Sequence, residues 1–159
     1  MLPENAFDTA LASVPRRLGA RLLDGLLISV GVAGLLAAFG TNVFESFDGS
    51  GPAWPSYVLW VVSAGYEIWL TSLTGQTVGK RLLSIQVVDA ETGEIPSLDR
   101  AARRIIPMVI QLIPIVGFFG ALMYVRALWD PRRQGFHDKF AGTIVIDRRL
   151  AMPEGGQLP

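Results

Sequence analysis

The sequence predicts an all-α membrane bundle. It has two transmembrane helices, a third apolar segment (a helical hairpin broken near Pro114, or one span) and a small cytoplasmic two-stranded sheet. Three observations carry that reading. Half of the 159 residues are hydrophobic, 18% are charged and the mean hydropathy is +0.39, whereas soluble domains carry about 25% charged residues. Nearly uncharged runs recur at the length of about 20 residues that a hydrocarbon core requires. The 14 Lys and Arg are segregated: none falls in residues 41–53, where the only charges are Glu45 and Asp48.

Composition also excludes several function classes. Zero net charge gives no global field for nucleic acid. The absence of Cys rules out disulfides, thiolate nucleophiles and thiolate metal sites. A single His, His137, argues against an all-protein zinc centre, and no cofactor is expected.

The elements follow in chain order. Residues 1–13 and 149–159 read as short tails, expected to be disordered, which leaves a membrane domain over 14–148. Residues 22–40 form the first span, interrupted only by Asp24. Its basic flank and the small residues Ala38 and Gly40 resemble a cleavable leader, but Asp24, Glu4 and Asp8 fit one poorly, so the segment is expected to stay. Residues 54–73 form the second span, interrupted only by Glu67, with Trp54, Tyr57, Trp60, Tyr66 and Trp69 along it; those near its ends suit the interfacial aromatic belt. The positive-inside rule places the 41–53 loop outside and the N-terminus in the cytoplasm, in the cell membrane.

Residues 105–125 hold no charge. If they cross once, the six basic residues that follow (Arg126, Arg132, Arg133, Lys139, Arg148 and Arg149) end outside; if they enter and return, all 14 stay inside. Pro107 and Pro114 interrupt the run. Ser97 can cap a helix over about 98–112, and a second could run over 115–129, each roughly 22 Å long against a core of roughly 30 Å. This predicts a short, partly inserted hairpin, with a single proline-containing span as the alternative. "SIQVVDAETGEIP" and "GTIVIDR" read as strands rich in β-branched residues. An isolated strand leaves its backbone unpaired, so Ile85–Asp89 is expected to pair with Thr143–Asp147 on one side of the membrane.

Ionisable groups inside spans are costly and face the bundle interior or a wet cavity. Arg17, Arg21 and Asp24 share one helix face by their spacing. Gly31 continues it, and Gly25 with Ser29 form a small pair that admits a neighbouring helix. Ser63, Glu67, Thr71 and Thr74 make a matching stripe on the second span, with Glu67 about 9 Å from its cytoplasmic end. Two readings stay open. Arg17 or Arg21 pairs with Asp24 and Glu67 finds Arg103 or Arg104, which makes a structural cluster. Alternatively, Asp24 and Glu67 bind a cation or carry protons.

Three stretches, "RRLGARLLD", "GQTVGKRLLSIQVVD" and "RRQGFHDKFAGTIVI", resemble in that order the RDD family of bacterial and archaeal membrane proteins, over roughly residues 14–147. That family is named for one arginine and two aspartates. The resemblance implies Arg17 and Asp24 for the first two, and Asp138 for the third, with Asp130 as the alternative; Glu67 lies outside the signature. Function in that family is largely unassigned, and cation/proton antiport is associated with some members, so the resemblance implies at most a transport reading.

"GQTVGKRLL" lacks phosphate-loop spacing. Gly75 and Gly79 read as turn and helix-end residues, and Lys80 and Arg81, with Arg103 and Arg104, as anchors at lipid headgroups. In "RRQGFHDKF", His137 and Asp138 are adjacent and no nucleophile accompanies them, so no enzymatic activity is expected. Asp138 is expected to contact an Arg such as Arg81 or Arg104, or to cap backbone amides. Two function classes follow. One is a small cation/proton or small-ligand transporter or transport subunit. The other is a non-transporting scaffold or accessory subunit. The expected partners are the bilayer, including anionic lipids, and a second copy or another membrane protein.

Overall fold

The computed structural model describes residues 10–42, 44–109 and 126–151. Helix α1 (Val14–Ala38) starts on Pro15, whose fixed φ suits a first turn and whose missing N–H is no loss there. It runs 25 residues and ends before Gly40. A short α2 (Phe44–Asp48) precedes α3 (Trp54–Thr74), which again starts on a proline, Pro55. Helix α3 stops at Gly75, whose φ of +69° lets its N–H reach the Thr71 carbonyl at 2.9 Å. A side chain at Gly75 would also lie 2.5 Å from the Val87 carbonyl oxygen, so this position needs glycine for both conformation and space.

Helix α4 (Val78–Leu82) is capped by Thr77, whose hydroxyl accepts from the Lys80 N–H. Helix α5 (Leu98–Val109) begins at Ser97, whose Oγ accepts from the Arg100 N–H at 3.4 Å, as its sequence predicts. It continues past Pro107 rather than ending there. A 3-10 turn (Arg126–Leu128), α6 (Phe136–Ala141) and α7 (Arg148–Ala151) follow.

Strands β1 (Ile85–Asp89) and β2 (Thr143–Asp147) pair antiparallel, with Ile85 opposite Asp147 and Asp89 opposite Thr143. These are the expected strands and the expected pairing. All ten residues are buried. The alternation of side chains splits the core between two faces. Ala12, Ala20, Ile85, Val87 and Val145 pack on one, and Leu11, Val88, Ile144 and Ile146 on the other. Around the sheet, α1 packs on α3 and α4, α3 on α5, and α5 on α6.

Parts of both expected tails are built into the fold. Ala10, Leu11 and Ala12 are buried, Ala12 N–H donates to Val145 O at 2.9 Å and Asp147 N–H to Ala10 O at 2.7 Å. They therefore complete the free edge of β2, whose unpaired backbone would otherwise be exposed. Arg149 to Ala151 belong to α7. The expected turn at Pro114 lies outside the described residues, as does most of the second arm of the hairpin; its last part, Arg126–Leu128, is a 3-10 turn.

Helix α1 is long and apolar enough to cross a membrane, with a mean hydropathy of 1.7 over its most apolar stretch. Only 17% of that stretch is buried, which separates it from the core helix of a soluble domain. Among the described helices no other meets both criteria.

Candidate functional site: a buried ion-pair cluster

Five elements converge on one small cavity. The first turns of α1 bring Arg17, Arg21 and Asp24, α3 brings Glu67, α4 brings Lys80, α5 brings Arg104, and α6 brings His137 and Asp138. The cavity is about 30 Å³, room for a water or two and not for an organic substrate. Among the described residues, no group of three or more His, Asp or Glu is placed to hold a metal ion.

Each carboxylate is matched by donors. Glu67 pairs with Arg21 through Oε2 and with Lys80 Nζ through Oε1 at 3.2 Å, and Arg104 Nε stands 4.0 Å away. Asp138 Oδ1 meets Arg104 Nη2 at 2.7 Å, while Oδ2 accepts from Arg17 Nη1 at 3.2 Å and from the Gly135 N–H at 2.9 Å. Asp138 therefore does both things expected of it: it pairs with arginine and caps α6. Asp24 accepts from Tyr66 Oη at 2.9 Å, from the Gly79 N–H at 2.8 Å and from Thr77 Oγ1 at 2.5 Å. Tyr66 Oη in turn accepts from the Val78 N–H. Asp24 thus ties α4 to α1 through neutral donors. The guanidinium of Arg17 also donates to Val145 O at 3.0 Å, and Arg104 Nη1 to Thr143 Oγ1 at 3.1 Å, which fixes the cluster to the sheet.

Burial and neighbouring charge set the protonation of this group. Burial lowers the pKa of Lys80, and the proximity of Arg104 adds to this against the pull of Glu67. For Asp138, burial works upward, but Arg104, His137 and Arg17 outweigh it and hold the carboxyl below its ordinary range. Burial pushes His137 down to about 4, so the imidazole is neutral at physiological pH even though its Nε2 lies 3.5 Å from Asp138.

The five residues expected to form the cluster, Arg17, Arg21, Asp24, Glu67 and Asp138, do come together. Arg104 stands beside both Glu67 and Asp138 as expected, but the partners of the α1 residues differ from expectation. Arg17 pairs with Asp138 and Arg21 with Glu67, whereas Asp24 is held by hydroxyls and an amide. Lys80 and Arg104 are buried in the cluster and are not headgroup anchors. Arg81 and Arg103 are exposed, and Arg103 pairs with Asp99 one turn away at 2.8 Å. Asp130 stands apart in its own loop, pairing with Lys139 and accepting from the Arg132 and Gln134 N–H groups.

Among the described residues no close approach is made at Gly25, Ser29 or Gly31: all three are exposed, and no described residue comes within 4 Å of a side chain added at either glycine. The close approach is at Gly79, in the first turn of α4. A Cβ there would lie 2.3 Å from Ala20 O. Tyr66, Thr77 and Gly79 are the participants that sequence reasoning missed. Tyr66 reads only as one of the aromatics along the second span, Gly79 as a turn or helix-end residue, and Thr77 carries no signal of its own.

The RDD family model matches residues 11–142, most of the chain. The chain belongs to the RDD family. It is 31% identical over 86 residues to "Uncharacterized protein RP437" of Rickettsia prowazekii (strain Madrid E), an alignment that covers 54% of this chain and 44% of that protein. The chain therefore spans less than half the length of that relative. No solved structure matches. In this RDD protein, the arginine and second aspartate assigned by the resemblance, Arg17 and Asp138, touch directly. The first aspartate, Asp24, lies on the same helix as Arg17 and lines the same cavity. Membership and the apolar α1 together point to a membrane protein.

Proposed function

We propose that this RDD protein is a multi-pass plasma-membrane protein with a cytoplasmic N-terminus and no enzymatic activity. On this reading the buried cluster fastens its membrane helices to a cytoplasmic platform, and the protein serves as a non-transporting scaffold or accessory subunit for another membrane protein. Saturation of the carboxylates carries this reading. A cation or proton carrier needs a carboxylate that exchanges its partner for the cargo. Glu67 and Asp138 would do so only by leaving buried Lys80 or Arg104 without a counter-charge. Asp24 has donors fixed by the chain itself.

The topology draws support from how the elements join. The start of α1, the segment from Gly75 through α5, and the segment from Arg126 onward meet in the sheet and the cluster. If α1 crosses the membrane, α3 brings the chain back to that platform and acts as a second span, although it is less apolar. A third apolar segment that leaves at Val109 and rejoins at Arg126 then fits a return better than a single crossing. The concentration of Lys and Arg supports a cytoplasmic platform.

Transport retains one supporting observation. Asp24 and Glu67 line a shared cavity, and Arg21, which pairs with Glu67, is 42% exposed. Purified protein in proteoliposomes is expected to pass no protons, Na⁺ or K⁺ faster than empty vesicles, and Glu67→Gln is expected to lower its thermal stability. Flux that disappears in a folded Glu67→Gln or Asp24→Asn variant would decide for transport.

A further inference from the structure

We infer that α4, α5 and α6 form an apolar collar that lies in the bilayer interface around the foot of α1, in contact with lipid where headgroups meet acyl chains. The inference rests on the membrane reading of α1. Each of these helices is pinned to the cluster at a known level. Gly79 of α4 donates to Asp24, Arg104 of α5 pairs with Asp138, and Asp138 of α6 pairs with Arg17. Arg17 and Asp24 are about 10 Å apart along the α1 axis, so the three helices share one thin layer where the apolar run of α1 begins.

The inward faces of these helices are occupied by Gly79 and Lys80, by Ala101, Arg104 and Ile105, and by His137, Asp138 and Ala141. Their outward faces carry Val78 and Leu82, Ile106, and Phe136 and Phe140, each between 42% and 65% exposed. In water such a contiguous set would be an aggregation liability.

Continuity with α1 says what covers it. Leu18 and Leu22 of α1 are 49% and 66% exposed, and Gly19 between them faces Leu83, the residue that follows α4. The apolar surface of the span therefore adjoins the collar at the end of α4. Exposed Arg81 and Arg103 sit among the apolar residues of α4 and α5, the arrangement in which a basic head reaches phosphates while its stem and its neighbours stay in the acyl region.

The chain has no Cys, so single cysteines report cleanly. Leu82→Cys, Ile106→Cys and Phe140→Cys, each carrying an environment-sensitive fluorophore in proteoliposomes, are expected to emit at blue-shifted wavelengths. Lipids brominated in the upper acyl chain are expected to quench them about as strongly as a Leu22→Cys reference on α1. Glu91→Cys, at an 82% exposed side chain beyond β1, is expected to keep aqueous emission and resist quenching. Val78→Cys and Phe136→Cys supply second sites on α4 and α6 should a first variant misfold.

Aqueous emission at the collar would overturn the inference. So would blue-shifted emission that lipid does not quench, which would mean that a second copy or another protein covers the face. A quenched Leu22→Cys beside an unquenched collar refutes the collar alone. An unquenched Leu22→Cys refutes the membrane reading of α1, and the collar with it.

Discussion

Glu67 is the residue on which most of the buried charge depends. Glu67→Gln preserves shape but leaves Lys80 and Arg104 in the interior with one counter-charge removed. Breaking a buried pair from one side costs about 3–5 kcal/mol, so the variant should unfold at markedly lower denaturant concentration in detergent. Replacing both partners, Glu67→Met with Lys80→Met, should recover part of that loss because the desolvation cost disappears with the pair. A double variant as unstable as the sum of its singles would show that the pair itself contributes little. His137 gives a separate signature in pH. Its folded pKa of about 4 lies below the ordinary 6.5. Between these values the unfolded chain binds more protons than the folded one, so stability rises with pH across that window and falls as pH drops from 6.5 toward 4. The change is about 3 kcal/mol for a shift of this size. His137→Asn should flatten the corresponding slope in the unfolding midpoint, and a slope that persists unchanged would assign it to the carboxylates instead.

At the scale of elements, the contact between α1 and α4 depends on one glycine. Gly79→Ala places a Cβ 2.3 Å from Ala20 O and 3.0 Å from Asp24 Cγ, and the forced separation should cost about 1–3 kcal/mol. Gly25→Ala, on the same α1, meets nothing within 4 Å, so it should be neutral or stabilise by up to about 1 kcal/mol through helix propensity. Equal effects of the two, measured by thermal unfolding, would refute the close approach. The contrast also marks what could be read from sequence and what could not. Periodicity placed Arg17, Arg21 and Asp24 on one face, and β-branched composition marked β1 and β2, because helix period and strand composition are local properties of the chain. The partners of Asp24 are Tyr66, Thr77 and Gly79, 42, 53 and 55 residues away, and no local period selects them over the nearer arginines. Small residues at Gly25 and Gly31 look like a packing stripe, but a stripe has no packing role until another helix lies against it. Ala10 to Ala12 carried no strand signal because three residues are too few to show alternation. Their role comes only from the open edge of β2.

For the whole molecule, the arrangement of charge and the closure of the platform agree with the proposed topology. Strand β2 pairs with β1 on one edge and is bridged by Leu11 on the other, and Arg17 at the foot of α1 is bonded to Asp138 near the C-terminal end of the described chain. A hydrogen-bonded sheet cannot be divided by a bilayer, so these segments lie on one side. Residues 41–53, which hold none of the 14 Lys and Arg, lie at the far end of α1. Ser50→Cys should therefore react with an impermeant maleimide on intact cells. Glu91→Cys, beyond β1, and Arg149→Cys, in α7, should react only after permeabilisation. Labelling of Arg149→Cys from outside, with Glu91→Cys protected, would place β1 and α7 on opposite faces of the membrane. Such a chain could not form the β1–β2 pairing or the Arg17–Asp138 contact, and the cluster would lose α6, which brings His137 and Asp138.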